Sequence, residues 1–299
     1  MRLFFRSTSI TLKSESLGER LAIVSELSKL RLAALVVFSA IMGYFIAGPS
    51  GNLGSLLALT IGGTLVTGGA NAFNQVLERV SDAVMQRTMS RPLPQARIST
   101  SGAVLLALIM TSCGFLVLLL YCNPLSAVLS LCSLALYVFV YTPLKKKTPL
   151  AVFVGAIPGA MPPLLGWVAA KNSVDLEAIL LFFLQFLWQF PHFWAIAWRL
   201  HEDYQRAGIY LLPLHGGPSV ANARLIFLYA LFTVPAALLP YVFRFYGLGS
   251  MLCIACLGLA YAWPAWKLVK TGEPRDALHV LYASFFYLPL MQIFWLLNF

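Results

Sequence analysis

Apolar residues fall into nine long runs, at about 32–48, 54–75, 102–121, 124–142, 149–170, 177–198, 222–243, 246–266 and 277–298, separated by short polar or Gly- and Pro-bearing segments. Such runs match the ~20 residues a helix needs to cross a ~30 Å hydrocarbon core. None alternates apolar and polar positions over the ~10 residues of a membrane-barrel strand, so the pattern predicts helices throughout. The expected fold is an all-α polytopic membrane protein with nine transmembrane helices. A polar arm at 1–30 precedes a single helical domain at 31–299. Within the arm, the spacing of Leu17, Leu21, Val24 and Leu27 predicts an amphipathic helix lying in the membrane interface.

Composition narrows the class further. With 60% hydrophobic and only 11% charged residues, against roughly 25% charged in soluble domains, a water-soluble globule and a disordered chain are both excluded. The net charge of +10 is explained by topology. Of the 21 basic residues, all but Lys171 and Arg244 fall on one side of the nine-helix arrangement, and only Asp175 and Glu177 among the acids fall on the other. The positive-inside rule then puts the N-terminus inside and the C-terminus outside, and no nucleic-acid partner is expected. Residues 1–29 lack the apolar core of a signal peptide, and Glu15, Glu19 and Glu26 count against an organellar presequence. A bacterial cell inner membrane is therefore preferred to a mitochondrial one. The five cysteines, including Cys253-x-x-Cys256, sit in or at the ends of apolar runs and read as packing residues.

Candidate chemistry is concentrated at one end of the second run. Asn71, Asn74, Gln75, Glu78 and Asp82 cluster there, and Asn74, Glu78 and Asp82, four residues apart, form a stripe about 12 Å long on one helix face, which Asn71 extends. Carboxylates near membrane depth need a cation or a wet cavity, and such an oxygen row suits a hard metal such as Mg²⁺. The alternative is a set of solvated acids paired with Arg79 and Arg87. Immediately downstream, Arg87 and Arg91 with Pro92 and Pro94 present guanidiniums suited to a phosphate. Lys145–Lys147 and the polar loop Arg199–Gly208 lie on the same side, the lysines also being readable as plain membrane anchors. Acids for a metal beside bases for an anion point to a metal diphosphate.

These residues resemble the UbiA-type intramembrane prenyltransferases, nine-helix bundles with an Asn-x-x-x-Asp-x-x-x-Asp motif after helix two. The chain has Asn74-x-x-x-Glu78-x-x-x-Asp82, then Met85-x-Arg87-Thr88-x-x-Arg91-Pro92-Leu93-Pro94. Lys145–Leu150 leads into a Gly- and Pro-rich stretch from Gly155 to Trp167, and Pro191-His192-Phe193-Trp194 follows. Together they are similar to the branch that farnesylates protohaem IX, over about residues 25–299. The resemblance implies transfer of a farnesyl group from farnesyl diphosphate to a vinyl group of haem b, giving haem O and diphosphate. It implies Asn74, Glu78, Asp82, Asp203 and Tyr204 as catalytic residues, with Asn74, Glu78, Asp82 and Asp203 as Mg²⁺ ligands. Arg87, Arg91, Lys145 and Lys146 would bind the diphosphate. The second family motif departs here, with Leu200 and Tyr204 where the hydroxybenzoate branch has Asp. Membrane lipid and haem-handling membrane proteins are the further expected partners.

Three features remain open at this level. Phe182, Phe183, Phe186, Trp188, Phe190, Phe193, Trp194 and Trp198 on helix six could wall an allylic cation, though one helix cannot turn all eight inward. His192 could ligate haem iron, bond a propionate, or make a helix–helix hydrogen bond. Helix five, with Pro158, Pro162 and Pro163, is not expected to be a straight rod, and such breaks tend to line cavities. Two other functions compete: a UbiA-type prenyltransferase of an aromatic acid or quinone precursor, and an ion-coupled transporter, whose site should instead lie near the midplane.

Overall fold

The computed structural model describes residues 16–48 and 52–298. Arg2, Arg6, Lys13, Glu15 and Phe299, which bear on the expected orientation and targeting, lie outside the described residues. The chain runs through α1 (Leu17–Ser28), α2 (Leu30–Ile46), α3 (Leu53–Val84), α4 (Thr100–Tyr121), α5 (Pro124–Ala135), a π-helical turn (Leu136–Tyr141) and α6 (Thr142–Leu144). It continues through α7 (Ala151–Lys171), α8 (Leu176–Arg199), α9 (His201–Arg206), α10 (Val220–Ala236), α11 (Leu238–Val242), α12 (Leu248–Thr271) and α13 (Pro274–Leu297). No strand occurs among the described residues. Eight stretches are long and apolar enough to cross a membrane, Pro124–Leu144 and Val220–Val242 each counting as one. The shorter apolar helix α2 has 17 residues and is about 26 Å long.

Helix starts follow their caps. Asn52, Ser99, Asn123 and Ser219 each accept a hydrogen bond from the backbone three residues on, and Ser16 with Glu19 forms a capping box. Between α1 and α2 the chain turns through Lys29 in the left-handed region, φ 49°. The carbonyls freed at that break are satisfied by α3. Gln75 donates to Glu26 O and Leu27 O, both at 2.9 Å, and Asn71 donates to Ser28 O at 3.0 Å. These two amides, which the spacing had grouped with the metal-type stripe, therefore hold α1 onto α3. α1 buries Ile23 and Leu27 there, while Leu17 and Leu21 stay exposed.

α7 is continuous despite its three prolines. Pro162 and Pro163 deprive the carbonyls of Pro158 and Gly159 of their i+4 donors. Ser133 Oγ of α5 reaches Pro158 O at 3.5 Å, and Gln185 Nε2 of α8 reaches Gly159 O at 2.9 Å. Neighbouring side chains thus replace the missing amides, which removes the need for a break. Gln185 also accepts from Ser39 at 2.7 Å and from Gln292 at 3.1 Å, joining α2, α8 and α13.

The α2–α7 contact depends on glycine. A Cβ at Gly166 would lie 1.8 Å from Ala40 O, and one at Gly43 2.0 Å from Pro163 O. Gly166→Val is therefore expected to force the helices apart and cost about 1–3 kcal/mol, read as a lower melting temperature of the detergent-solubilised protein. An unchanged melting temperature would contradict the close approach.

Helix pairing sorts the connections into two ends. The end of α3 that carries Asp82 meets α1, Lys145 and Asp203. At the opposite end Tyr44 bonds Asn52 O, Ser55 bonds Tyr121 O and Asn123 bonds Val168 O. Among the described basic residues only Lys171 and Arg244 belong to that opposite end.

Candidate active site

α3 extends to Val84, well past the apolar run that begins it, so its last turns project a polar face toward the connections at the charged end. Asn74, Glu78 and Asp82 all lie on this buried face, at 1%, 6% and 0% exposure. Each has an identifiable partner. Asn74 Nδ2 donates to Thr142 Oγ1 at 3.1 Å, and the Thr142 hydroxyl donates to Tyr137 O at 2.8 Å. With its NH₂ group so engaged, Asn74 offers its oxygen to the site. Glu78 Oε1 is 2.5 Å from Lys145 Nζ. Asp82 receives Arg91 Nη1 at 2.8 and 2.7 Å on its two oxygens.

The π-helical turn places Lys145. Its wider register lets the Thr142 amide reach Tyr137 O and rotates the following residues toward α3. Lys145 lies over the Tyr141 ring, 4.8 Å from its centroid, and its carbonyl accepts the Tyr210 amide at 3.2 Å. Burial works against the Lys145 charge, but the adjacent Glu78 carboxylate outweighs it and holds the ammonium above its ordinary pKa.

Lys29 is a further cation of this cluster that motif spacing did not reveal. It is brought near by the α1–α2 break that Asn71 and Gln75 pin. Burial, with repulsion from Arg91 and Lys145 only partly offset by Glu78 and Asp82, lowers its pKa to about 7. Three basic groups against two carboxylates give the site a positive bias. Because the folded pKa is depressed, folding releases the Lys29 proton that the unfolded chain still holds, so stability should rise between about pH 7 and 10. An added anion raises the Lys29 pKa again. Binding of inorganic diphosphate at pH 8 is therefore expected to take up protons, seen as a calorimetric heat that varies with the buffer's ionisation enthalpy. Lys29→Met should remove that uptake.

Asp203 on α9 serves a different contact. It accepts the backbone amides of Gln86 at 2.8 Å and Arg87 at 3.2 Å, and pairs with Arg206. Desolvation opposes its charge, but these donors hold its carboxyl below the usual aspartate pKa. The stabilisation is full above about pH 4 and declines as pH falls below that. Asp203 thus fixes the loop that carries Arg91. Arg87 and Lys146 are exposed and enter no ion pair among the described residues. Tyr204 lines a cavity of about 150 Å³ with His201, Tyr210 and His215.

The aromatics of α8 divide. Phe190, Trp194 and Trp198 are buried, and Phe190 and Trp194 pack with Phe153 and Tyr229, while Phe183 is exposed. Trp188 stacks on His192, whose Nδ1 lies 2.7 Å from Ser284 Oγ of α13. The helix–helix hydrogen bond foreseen for His192 is therefore formed. The five cysteines are all free.

Residues 36–290 match the UbiA prenyltransferase family. The chain is 42% identical over 275 residues to a protoheme IX farnesyltransferase of Cytophaga hutchinsonii, covering 91% of this chain and 96% of that relative. It is 44% identical over 278 residues to one of Christiangramia forsetii, covering 91% and 92%. Among solved structures it is similar to digeranylgeranylglyceryl phosphate synthase, with a TM-score of 0.77 at 18% identity, covering 94% of this chain and 98% of that one. A UbiA homolog from Archaeoglobus fulgidus bound to GPP and Mg²⁺ gives a TM-score of 0.62 at 16% identity, covering 91% and 98%.

Proposed function

Since the chain belongs to the UbiA prenyltransferase family, we propose that it transfers a farnesyl group from farnesyl diphosphate to a vinyl group of protohaem IX, in a Mg²⁺-dependent reaction. The observation that carries the donor half is the interleaving of acids and bases on one buried face: Glu78 with Lys145, Asp82 with Arg91. A metal diphosphate would satisfy both halves of each pair, Glu78 and Asp82 being available to hold the cation and Lys145 and Arg91 the phosphate oxygens. The acceptor half is supported by the names of relatives such as the Cytophaga and Christiangramia proteins.

The donor atoms suit Mg²⁺, being oxygen only: the Asn74 amide and the Glu78 and Asp82 carboxylates. When bound, Mg²⁺ supplies Lewis-acid stabilisation of the charge on the leaving diphosphate. Arg91 and Lys145, freed from the acids, take phosphate oxygens, with Arg87, Lys146 and Lys29 adding positive potential at the mouth. Asp203, which the family pattern would make a further ligand, has Arg206 as a partner it could exchange. Tyr204 follows Asp203 on α9. Chemically, the allylic C–O bond breaks, the electron pair leaves with diphosphate, and the farnesyl carbon bonds the vinyl terminus. Water then adds at the other vinyl carbon and loses a proton, giving the hydroxyethylfarnesyl group of haem O.

The site at the end rich in basic residues is proposed to face the inside of a bacterial cell membrane. The test is to incubate purified protein with haem b, farnesyl diphosphate and Mg²⁺ and analyse the haem by mass. A farnesylated haem is expected. Untouched haem, with a phenolic acceptor prenylated instead, would overturn the acceptor assignment in favour of an aromatic-acid prenyltransferase.

A further inference from the structure

His192 stands on α8 immediately after Pro191 and is 9% exposed. Its ring is enclosed by aromatics: Trp188 stacked at 4.8 Å, Phe193 edge-on at 5.3 Å, and Phe285 of α13 edge-on at 5.4 Å. Phe285 is 48% exposed, so the enclosure is open on that side. Two hydrogen bonds clamp this part of α8 to one residue of α13. Trp188 Nε1 donates to the Ser284 carbonyl at 2.8 Å, and His192 Nδ1 meets the Ser284 hydroxyl at 2.7 Å.

The proton count decides the direction of that second bond. A serine hydroxyl has one hydrogen, and Ser284 points it at Leu281 O, 2.5 Å away. With that proton directed at Leu281 O, the Ser284 oxygen accepts from His192 Nδ1, the assignment that pairs both groups. This assignment makes the ring the Nδ1–H tautomer, with the lone pair on Nε2. Nε2 makes no hydrogen bond among the described residues and is not one of the unpartnered polar atoms sealed inside the protein. A buried imidazole with one nitrogen fixed by a helix–helix hydrogen bond and the other left with a free lone pair is the arrangement found in metal-ligating histidines.

We infer that Ser284 is a positioning residue that holds His192 as the Nδ1–H tautomer, so that Nε2 coordinates the iron of the porphyrin acceptor. The surrounding aromatic faces and edges suit the flat apolar rim of a macrocycle. Coordination forms one Fe–N bond from the Nε2 lone pair with no change of oxidation state. This assignment rests on the acceptor being a haem, and it adds the residue that fixes the ligand's orientation.

The test uses the purified full-length chain, ferric haem and, as a comparison, metal-free protoporphyrin IX, with absorption and electron paramagnetic resonance spectra as readouts. The wild type should show an imidazole-ligated haem. His192→Gly should lose that signature and regain it with added imidazole. Ser284→Ala should weaken haem binding by about 10-fold or more, alter the axial-ligand spectrum, and leave metal-free protoporphyrin and farnesyl diphosphate binding unchanged. Ser284→Thr, which keeps the hydroxyl, should restore the wild-type spectrum. An unchanged spectrum in His192→Gly would overturn the inference. Equal losses of haem and metal-free porphyrin in Ser284→Ala would reduce Ser284 to a packing residue. If haem is farnesylated without any histidine-ligand signature, the inference falls and the proposed reaction stands; if the wild type neither binds nor modifies haem, both fall.

Discussion

Lys145→Met should destabilise the protein by about 3–5 kcal/mol, because it leaves the Glu78 carboxylate buried without its cation. The side chains of this pair are only 10% and 9% exposed, so water cannot take over the missing interaction. Removing both charges, as in Glu78→Gln with Lys145→Met, should return stability to within about 1 kcal/mol of the wild type, since a paired buried charge is worth little more than a neutral replacement. Activity should behave differently. Both the single and the double variant should lose farnesyl transfer by about 100-fold or more, as each lacks a group that stabilises the leaving diphosphate. Stability recovered without activity is the outcome that assigns the pair to catalysis; recovery of both would make it a structural bridge only. Chemical denaturation and a product assay on the wild type, Lys145→Met, Glu78→Gln and the double variant complete the cycle.

Asp82→Asn should lower kcat by about 1,000-fold or more, by removing a charged metal ligand near the leaving group. Its carboxylate has no exposed surface and is held by Arg91 on both oxygens. The amide would keep the shape and lose the charge, so Mg²⁺ titrated in the presence of inorganic diphosphate should bind more weakly as well. Arg91→Met is the control for the anion half: it should weaken diphosphate binding while the acids remain. Turnover within tenfold of wild type in Asp82→Asn would remove Asp82 from the metal site.

Much of this architecture is legible in local sequence. Apolar run length gave the long helices to within several residues, except α3, which continues to Val84 well past its run, and Ser, Asn and Pro at the starts show why several helices begin where they do. The stripe at Asn74, Glu78 and Asp82 follows from helical periodicity alone. What local reasoning missed depends on neighbours distant in the chain. Asn71 shares the stripe's spacing, yet its amide is spent on Ser28 O. Lys29 is an ordinary basic residue until the α1–α2 break brings it within electrostatic range of Arg91 and Glu78. The prolines of α7 signalled a break that does not occur, because Gln185 and Ser133, on other helices, satisfy the exposed carbonyls. Ser284 had no signal at all, since a serine in an apolar run gains meaning only from the histidine facing it.

The rescued carbonyls of α7 also bear on biogenesis. Released singly into lipid, this helix would expose the carbonyls of Pro158 and Gly159 to hydrocarbon, at several kcal/mol for each unsatisfied group. Its partners come from the helix before it and the helix after it in the order of synthesis, Ser133 on α5 and Gln185 on α8. Packing against both therefore stabilises α7 in the membrane, which favours assembly of α5, α7 and α8 as neighbours.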